Sequence, residues 1–252
     1  MNVTQMKRTR AQRVELEGCS NFRDLGGYRL NGGGTTKSGV LYRADCLSKL
    51  TGSDIEKLGE LGIACVIDLR HEEEINKTGH PVKNVGGIAY HNVQLVDGVN
   101  SNDLKSLLPQ SLSEMYADLA DNAGGKIAEI FRIILNHKVG GVVFHCAAGK
   151  DRTGVVAALL LLLAGAEETE ILFDYSITYT LMKEVFSRQI QDAKNAGFDI
   201  PAHIFLSDEV TIKEFIDHIH HKHRGVENYL KSIGLDTDEI AEIKRIITEE
   251  RE

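Results

Sequence analysis

Residues 145–154 read HCAAGKDRTG and stand between two apolar runs of different character. Val139 to Phe144 is short and β-branched, whereas Val155 to Ala164 is longer and apolar throughout. The pattern predicts a strand that ends at Cys146 and a buried helix that begins near Thr153. A chain that must turn from strand to helix in so few residues gathers a thiol, backbone N–H groups, a guanidinium and a helix N-terminus around one small volume. That volume suits a tetrahedral dianion.

The physical reasons lie in the residue types. The first N–H groups of a helix have no partner within it, and the macrodipole adds partial positive charge there. A loop of successive N–H groups extends this into an anion nest. Gly149 allows the backbone angles such a loop needs, and Ala147 and Ala148 keep bulk away from it. Together with Lys150 and Asp151 these residues form the predicted phosphate cradle. Arg152 can grip two oxygens at once through its planar fork, which lysine cannot do. A helix N-terminus with cations nearby is a setting in which cysteine acts as a nucleophile, so Cys146 is expected to attack phosphorus. Thr153 is expected to donate to the sulfur and help it leave, and His145 to orient the loop through its ring nitrogens.

Two other readings of this segment fail on its residues. A Walker loop needs glycine five residues before its Gly-Lys pair and Ser or Thr after it; Phe144 and Asp151 stand there. A zinc site built on Cys146 wants further Cys or His at short spacing, and the nearest other cysteine is Cys65. No metal and no cofactor are therefore expected. Cys19, Cys46, Cys65 and Cys146 form no disulfide framework and suit a reducing compartment. A net charge of −8 argues against nucleic acid as a partner, and no apolar run is long enough for integral membrane association. The first residues are basic without an apolar segment after them, so no secretory signal is read. The chain is placed in the cytoplasm, with export by a non-classical route left open.

Residues 1–14 read as a polar arm and 15–252 as one catalytic domain. Short strands are predicted around Tyr28 and over Val40 to Tyr42, a helix capped by Thr51 or Ser53, and a buried strand from Ile63 to Leu69. A short acidic helix follows over His71 to Lys77, then a strand over Ile88 to Leu95. Helices are predicted at Leu112–Leu119 and Lys126–Asn136, and everything after Glu167 reads as helix with a break at Gly197 to Pro201. Strands alternating with helices imply an α/β fold with a mainly parallel central sheet flanked by helices, plus extra C-terminal helices. Ligands in such sheets bind beyond the carboxyl ends of strands, where Cys146 falls.

Five segments carry a family resemblance: NFRDLGGY (Asn21 to Tyr28), LYRAD (Leu41 to Asp45), VIDLR (Val66 to Arg70), the phosphate loop itself, and Asp174-Tyr175. With them the chain resembles the cysteine-dependent tyrosine phosphatases, and within these the bacterial triple-specificity group. The resemblance runs over roughly Glu15 to Leu235. It implies a tyrosine-phosphatase-like fold and metal-free hydrolysis of phosphotyrosine through phosphocysteine at Cys146. Phosphoserine, phosphothreonine and phosphoinositides are implied as further substrates, and a phosphorylated protein or peptide as the partner. The general acid of most relatives sits in a Trp-Pro-Asp loop, and this chain has no tryptophan. Asp151 is favoured as the acid, with Asp97 as the alternative. Lys150 is read as facing substrate phosphate. Arg43 and Asp24 are expected to form an ion pair that supports the loop, with Asp68 or Arg70 able to do likewise.

The resemblance also implies that part of 180–223 forms a lid over the site, which would exclude water and shield the thiolate. Among the tail histidines, His218 with His221 is the pairing with metal-ligating potential, although a solvated face explains them more simply. Three alternatives stay open: a phosphatase acting primarily on phosphoinositides, a non-catalytic phosphoryl-binding module, and a sulfur-transfer enzyme. Intact Cys146, Arg152 and Asp151 disfavour the second, and the offsets of Arg152 and Thr153 disfavour the third.

Overall fold

The computed structural model describes residues 12–80, 82, 85–95 and 111–248. Five strands form one sheet: β1 (Arg23–Asp24), β2 (Leu41–Ala44), β3 (Ile63–Asp68), β4 (Ala89–Asn92) and β5 (Gly141–His145). Their order is β1-β2-β5-β3-β4, with β1 antiparallel to β2 and the other neighbours parallel. The expected α/β architecture with a mainly parallel sheet is what the chain adopts.

Side-chain alternation divides the core. Leu41, Cys65, Ile67, Val142 and Phe144 face the larger apolar cluster, while Tyr42, Ala44, Val66 and Val143 face a smaller one with Phe22, Leu47 and Leu58. Strands β3 and β5 are thus covered on both faces, which is why they read as unbroken apolar runs. The helices are α1 (Gly52–Glu60), α2 (Glu72–Thr78), α3 (Leu112–Asn122), α4 (Gly124–Asn136), α5 (Asp151–Ala164), α6 (Glu168–Asn195), α7 (Glu209–His223), α8 (Val226–Ser232) and α9 (Thr237–Ile247). Thr51, not Ser53, caps α1, and its capping box is completed by Asp54. None of the described helices is long and apolar enough to cross a membrane.

Three local expectations change. The strand near Tyr28 is absent; that region makes only the isolated bridges Arg29–Thr35 and Leu30–Ala166, and the short β1 lies just before it. Helix α5 begins at Asp151 rather than near Thr153, so Arg152 lies in its first turn. The helical tail is interrupted not only near Gly197 but also at 206–208, 224–225 and 233–236. Arg224 takes the left-handed conformation at the end of α7, and Asp208 and Asp236 cap the helices that follow two of these breaks.

Parallel pairing fixes the location of the site. Asp68 at the end of β3 aligns with His145 at the end of β5, and Leu69 N–H donates to the His145 carbonyl at 2.8 Å. The segments leaving both strands therefore run side by side beyond one sheet edge.

Candidate active site

Cys146 leaves β5 with 2% of its surface exposed, beneath the turn 147–150 that leads into α5. Gly149 has φ of +65°, and a Cβ there would lie 2.4 Å from the Ala44 carbonyl oxygen, so both the turn and the close approach to β2 require glycine. A Cβ at Gly154 would meet the Tyr175 ring at 3.1 Å, so the motif's last glycine lets α6 pack tightly on α5. The Ala147 carbonyl accepts from Cys46 N–H at 3.0 Å. His145 is buried, and its Nδ1 lies 3.2 Å from the Cys146 carbonyl. Burial lowers the imidazole's affinity for a proton more than the nearby Asp68 raises it. Thr153 is also fully buried, but its Oγ1 makes no protein hydrogen bond among the described residues. The expected Thr153 bond to sulfur is therefore not formed.

The Arg152 guanidinium is held in a fork by Glu74, with Nη1 to Oε2 at 2.7 Å and Nη2 to Oε1 at 2.9 Å. Glu74 also accepts from His71 N–H at 2.8 Å, completing the capping box of α2. Although burial alone pushes the Glu74 carboxyl up, its bonds to Arg152 hold it below the usual carboxylate range. Sequence reasoning missed this residue. It is the third of three consecutive glutamates, all in the first turn of α2, and only its place as the third helical residue, from which it reaches back to His71 N–H, distinguishes it.

Behind the loop lies a buried ionic network, which corrects the expected Arg43–Asp24 pair. Arg43 instead pairs with Asp174 at 2.5 Å and donates to the Gly149 carbonyl at 2.6 Å. Arg23 also pairs with Asp174, at 2.9 Å, and Tyr28 Oη donates to the same carboxylate at 2.9 Å. Arg23, Arg43 and Asp174 are each at most 1% exposed. Asn21 Nδ2 donates to the carbonyls of Ala148 and Gly149 at 3.1 and 3.2 Å, and its own Oδ1 accepts from Arg23. Asp24 instead accepts from the N–H groups of Gly26 and Gly39, each at 2.8 Å, and so fixes the turns around β1 and β2.

Asp68 and Arg70 form a third buried pair at 2.6 Å, and Arg70 Nη1 lies 2.9 Å from Cys46 Sγ. On the opposite side of the loop, Asp151 Oδ1 accepts from Tyr116 Oη at 2.6 Å, and Tyr116 and Tyr175 share a hydroxyl contact of 2.5 Å. Burial, followed by the Asp151 charge, pushes the Tyr116 phenol well above its ordinary value, so it acts as a neutral donor. Asp97 lies outside the described residues.

The Lys150 ammonium, expected to meet substrate phosphate, is instead taken up by main-chain carbonyls. The residue is 2% exposed, donates to the carbonyls of Ile204 and of Leu206 (3.0 Å for Leu206), and sits 3.3 Å from Asp151. These bonds tie the loop to the short 3₁₀ turn Ala202–Phe205 and the residue after it. Phe205 packs with Met182 and Phe186 of α6, and Ala148 packs against that cluster. A cavity of about 670 Å³ opens beside Ala147, bounded by the 17–20 and 45–49 loops, by Arg70 to Thr78 and by Met182 to Gln189. Its volume suits a small-molecule or side-chain ligand, and Lys49, Lys77 and Arg188 lie on its wall.

The tail histidines are also rearranged from expectation. His218 meets His223, not His221, and both direct Nε2 at Asp121 Oδ1, at 3.1 and 3.2 Å. Lys222 occupies the other carboxylate oxygen at 2.6 Å. Asp121 is thus already saturated by cationic and N–H donors, which makes this cluster a salt-bridge node joining α3 to α7.

Known proteins similar to this chain are phosphatases. A tyrosine phosphatase from Nostoc commune is 30% identical over 224 residues, covering 81% of this chain and 73% of the relative. The triple specificity protein phosphatase PtpB of Mycobacterium tuberculosis is 28% identical over 191 residues, covering 64% of this chain and 67% of PtpB. Among solved structures, P. aeruginosa TpbA aligns over 79% of this chain and 88% of its own, at 13% identity and a TM-score of 0.42. The model of the tyrosine phosphatase family matches residues 14–249, and on that match the chain belongs to the tyrosine phosphatase family.

Proposed function

We propose that the chain hydrolyses phosphotyrosine in proteins or peptides, without a metal, through a phosphocysteine on Cys146. The observation that carries this reading is the loop itself: a nucleophile at the end of β5, a left-handed glycine, and an arginine in the first turn of α5 held by Glu74. The Cys146 sulfur attacks phosphorus as the bond to the tyrosine oxygen breaks, and Asp151 gives that oxygen its proton. Water then attacks the phosphocysteine with Asp151 as base, releasing phosphate and restoring the thiolate. Arg152 and the loop N–H groups hold the equatorial oxygens throughout, where charge builds up. The site-positioning roles go to Glu74, Asn21, Arg43 and His145, with Thr153 free to turn toward the departing sulfur.

Asp151 is preferred to Asp97 because the Tyr116 hydroxyl orients it beside Arg152. Asp151→Asn is expected to slow hydrolysis of a phenyl phosphate with a poor leaving group by about 10²–10³-fold, and one with a very good leaving group far less. Steady-state rates on the two esters check this. Equal losses on both would remove Asp151 as the acid and return the role to Asp97.

A second reading, acting on singly phosphorylated inositides, is favoured by Lys49, Lys77 and Arg188 on the cavity wall. It gains nothing from Lys150, which is committed to Ile204 and Leu206. The decisive experiment measures phosphate release in the presence of chelator from a phosphotyrosine peptide, a phosphothreonine peptide and singly phosphorylated inositides. The phosphotyrosine peptide is expected to give the largest kcat/KM. Release that chelator abolishes would sink the proposed chemistry, and a larger kcat/KM for inositide would sink the substrate assignment.

We read the end of α6 and residues 202–206 as a lid latched by Lys150. Lys150→Met would leave two carbonyls unpaired and is expected to loosen it. Bulky alkylating agents should then reach Cys146 several-fold faster, while a small one gains little. An unchanged ratio of the two rates would count against the latch.

A further inference from the structure

A second group of potential ligands lies away from the phosphate loop. Cys65 on β3, His91 on β4 and His137 at the end of α4 place one ligand atom each within 4.8 Å of one another. Three sequence-distant elements, two adjacent strands and a helix terminus, therefore converge on one point. Two details make the cluster more than a chance meeting. His91 Nε2 is buried and has no hydrogen-bond partner among the described residues, a costly arrangement for a polar atom unless something binds there. His137 Nδ1 lies 2.9 Å from the Ile133 carbonyl. With Nδ1 protonated, Nε2 keeps its lone pair, the arrangement that orients histidine as a metal ligand. The two imidazole rings meet edge to face with centroids 5.4 Å apart.

We propose that Cys65, His91 and His137 form a binding site for a tetrahedral divalent metal of the zinc class, with water at the fourth position. One sulfur and two imidazole nitrogens suit zinc. In a tetrahedral zinc site the donors lie about 3.3–3.6 Å apart, as follows from the usual Zn–N and Zn–S lengths. Closing this cluster takes shifts of about 1 Å per side chain from the 4.8 Å envelope. On binding, the S–H bond of Cys65 gives way to an S–Zn bond, the proton passes to solvent, and no redox change occurs.

The site differs from the Asp121 node, where Nε2 of both histidines already lies against the carboxylate. It also differs from the catalytic centre. Cys65 pairs with Val142, four residues before Cys146 along the chain, which places it about 13 Å away at the usual strand rise. The metal would pin β4, the edge strand, to the end of α4. Its role is thus to stabilise the fold, and the hydrolytic step does not depend on it.

The test uses tag-free full-length chain carrying Cys146→Ser, so that metal on the phosphate-loop thiolate is not read. Titration with cobalt(II) is expected to give one equivalent bound, with a thiolate-to-cobalt charge-transfer band and the strong visible bands of tetrahedral cobalt. Zinc should bleach them, and at a hundredfold excess over its Kd it should raise Tm by roughly 5–10 °C. Adding Cys65→Ser should abolish the charge-transfer band, and His91→Gln or His137→Gln should weaken binding at least tenfold. Binding with no sulfur band, or a band that survives Cys65→Ser, overturns the proposal. Should Cys65→Ser fail to fold, His137→Gln at the helix end decides, because unchanged cobalt affinity there also overturns it.

Discussion

Cys146→Ser is expected to lower turnover of a phosphotyrosine peptide by roughly 10⁴–10⁶-fold, the scale on which removal of a catalytic nucleophile acts. The substitution changes one atom. Serine fits the same buried position after β5, and the N–H groups of the loop and the Arg152–Glu74 fork need no adjustment. An alcohol is a far weaker nucleophile than a thiolate at neutral pH, and a phosphoserine, if formed, has a poor leaving group. Binding should survive where chemistry does not. Single-turnover kinetics measure the first effect, and calorimetric titration with the phosphopeptide measures the second, with Kd expected within a few-fold of the parent. Turnover above about one-hundredth of the parent rate would mean that the sulfur is not the nucleophile. Arg152→Lys should preserve the charge and lose the two-oxygen grip, costing about 10³-fold. It should also release Glu74 from the fork that holds it.

The geometry of the 145–154 segment is legible in the sequence because everything that shapes it is contiguous. Strand, glycine, arginine and helix start follow one another within ten residues, and local physics dictates their geometry. The supports behind it are not legible in that way. Asp24 is a plausible partner for Arg43 across the β1–β2 turn, yet the carboxylate that Arg43 meets is Asp174, 131 residues away. Only the packing of α6 against α5, permitted by Gly154 beneath the Tyr175 ring, brings that carboxylate to the sheet. Glu74 is hidden among like neighbours for a related reason. Three glutamates in a row look equivalent until the helix start is known, and then only one can reach both His71 N–H and Arg152.

Lys150 shows a different limit. A lone cation in a phosphate loop suggests an anion as its partner, and the motif contains nothing to the contrary. The competing acceptors are main-chain carbonyls of Ile204 and Leu206, more than fifty residues downstream. Carbonyls carry no side-chain signature, so no pattern in the sequence marks them as partners. The tail histidines follow the same logic. Helical spacing pairs His218 with His221, but α7 ends at Arg224 in a left-handed turn. Within that last turn it is His223 that shares Asp121 of α3 with His218, and a carboxylate on another helix leaves no mark in the spacing of the histidines.

Asp174→Asn is expected to destabilise the fold by about 3–5 kcal/mol, the usual cost of removing one partner from a buried ion pair. Two arginines with no exposed surface, Arg23 and Arg43, would lose their common counter-charge. Asparagine keeps the size and one acceptor for Tyr28 but cannot balance two guanidinium groups. The denaturation midpoint in urea should fall while the m-value stays unchanged. The phosphate loop should feel the change as well, since Arg43 is the donor to Gly149. Acid offers an independent check of the same network. Burial alone pushes the Asp174 carboxyl up, but Arg23 and Arg43 outweigh it and hold the group down at about 2. In the unfolded chain an aspartate titrates near 4. The native state therefore binds fewer protons between these values, and the stabilisation is complete above about pH 4 and fades as pH falls toward 2. On the order of 2 kcal/mol should titrate away in that window. The stability gap between parent and Asp174→Asn should thus be flat from pH 7 to 5 and narrow below about 4. A gap that stays constant down to pH 2, or widens there, would show that the carboxylate charge is not what holds the two arginines beneath the catalytic loop.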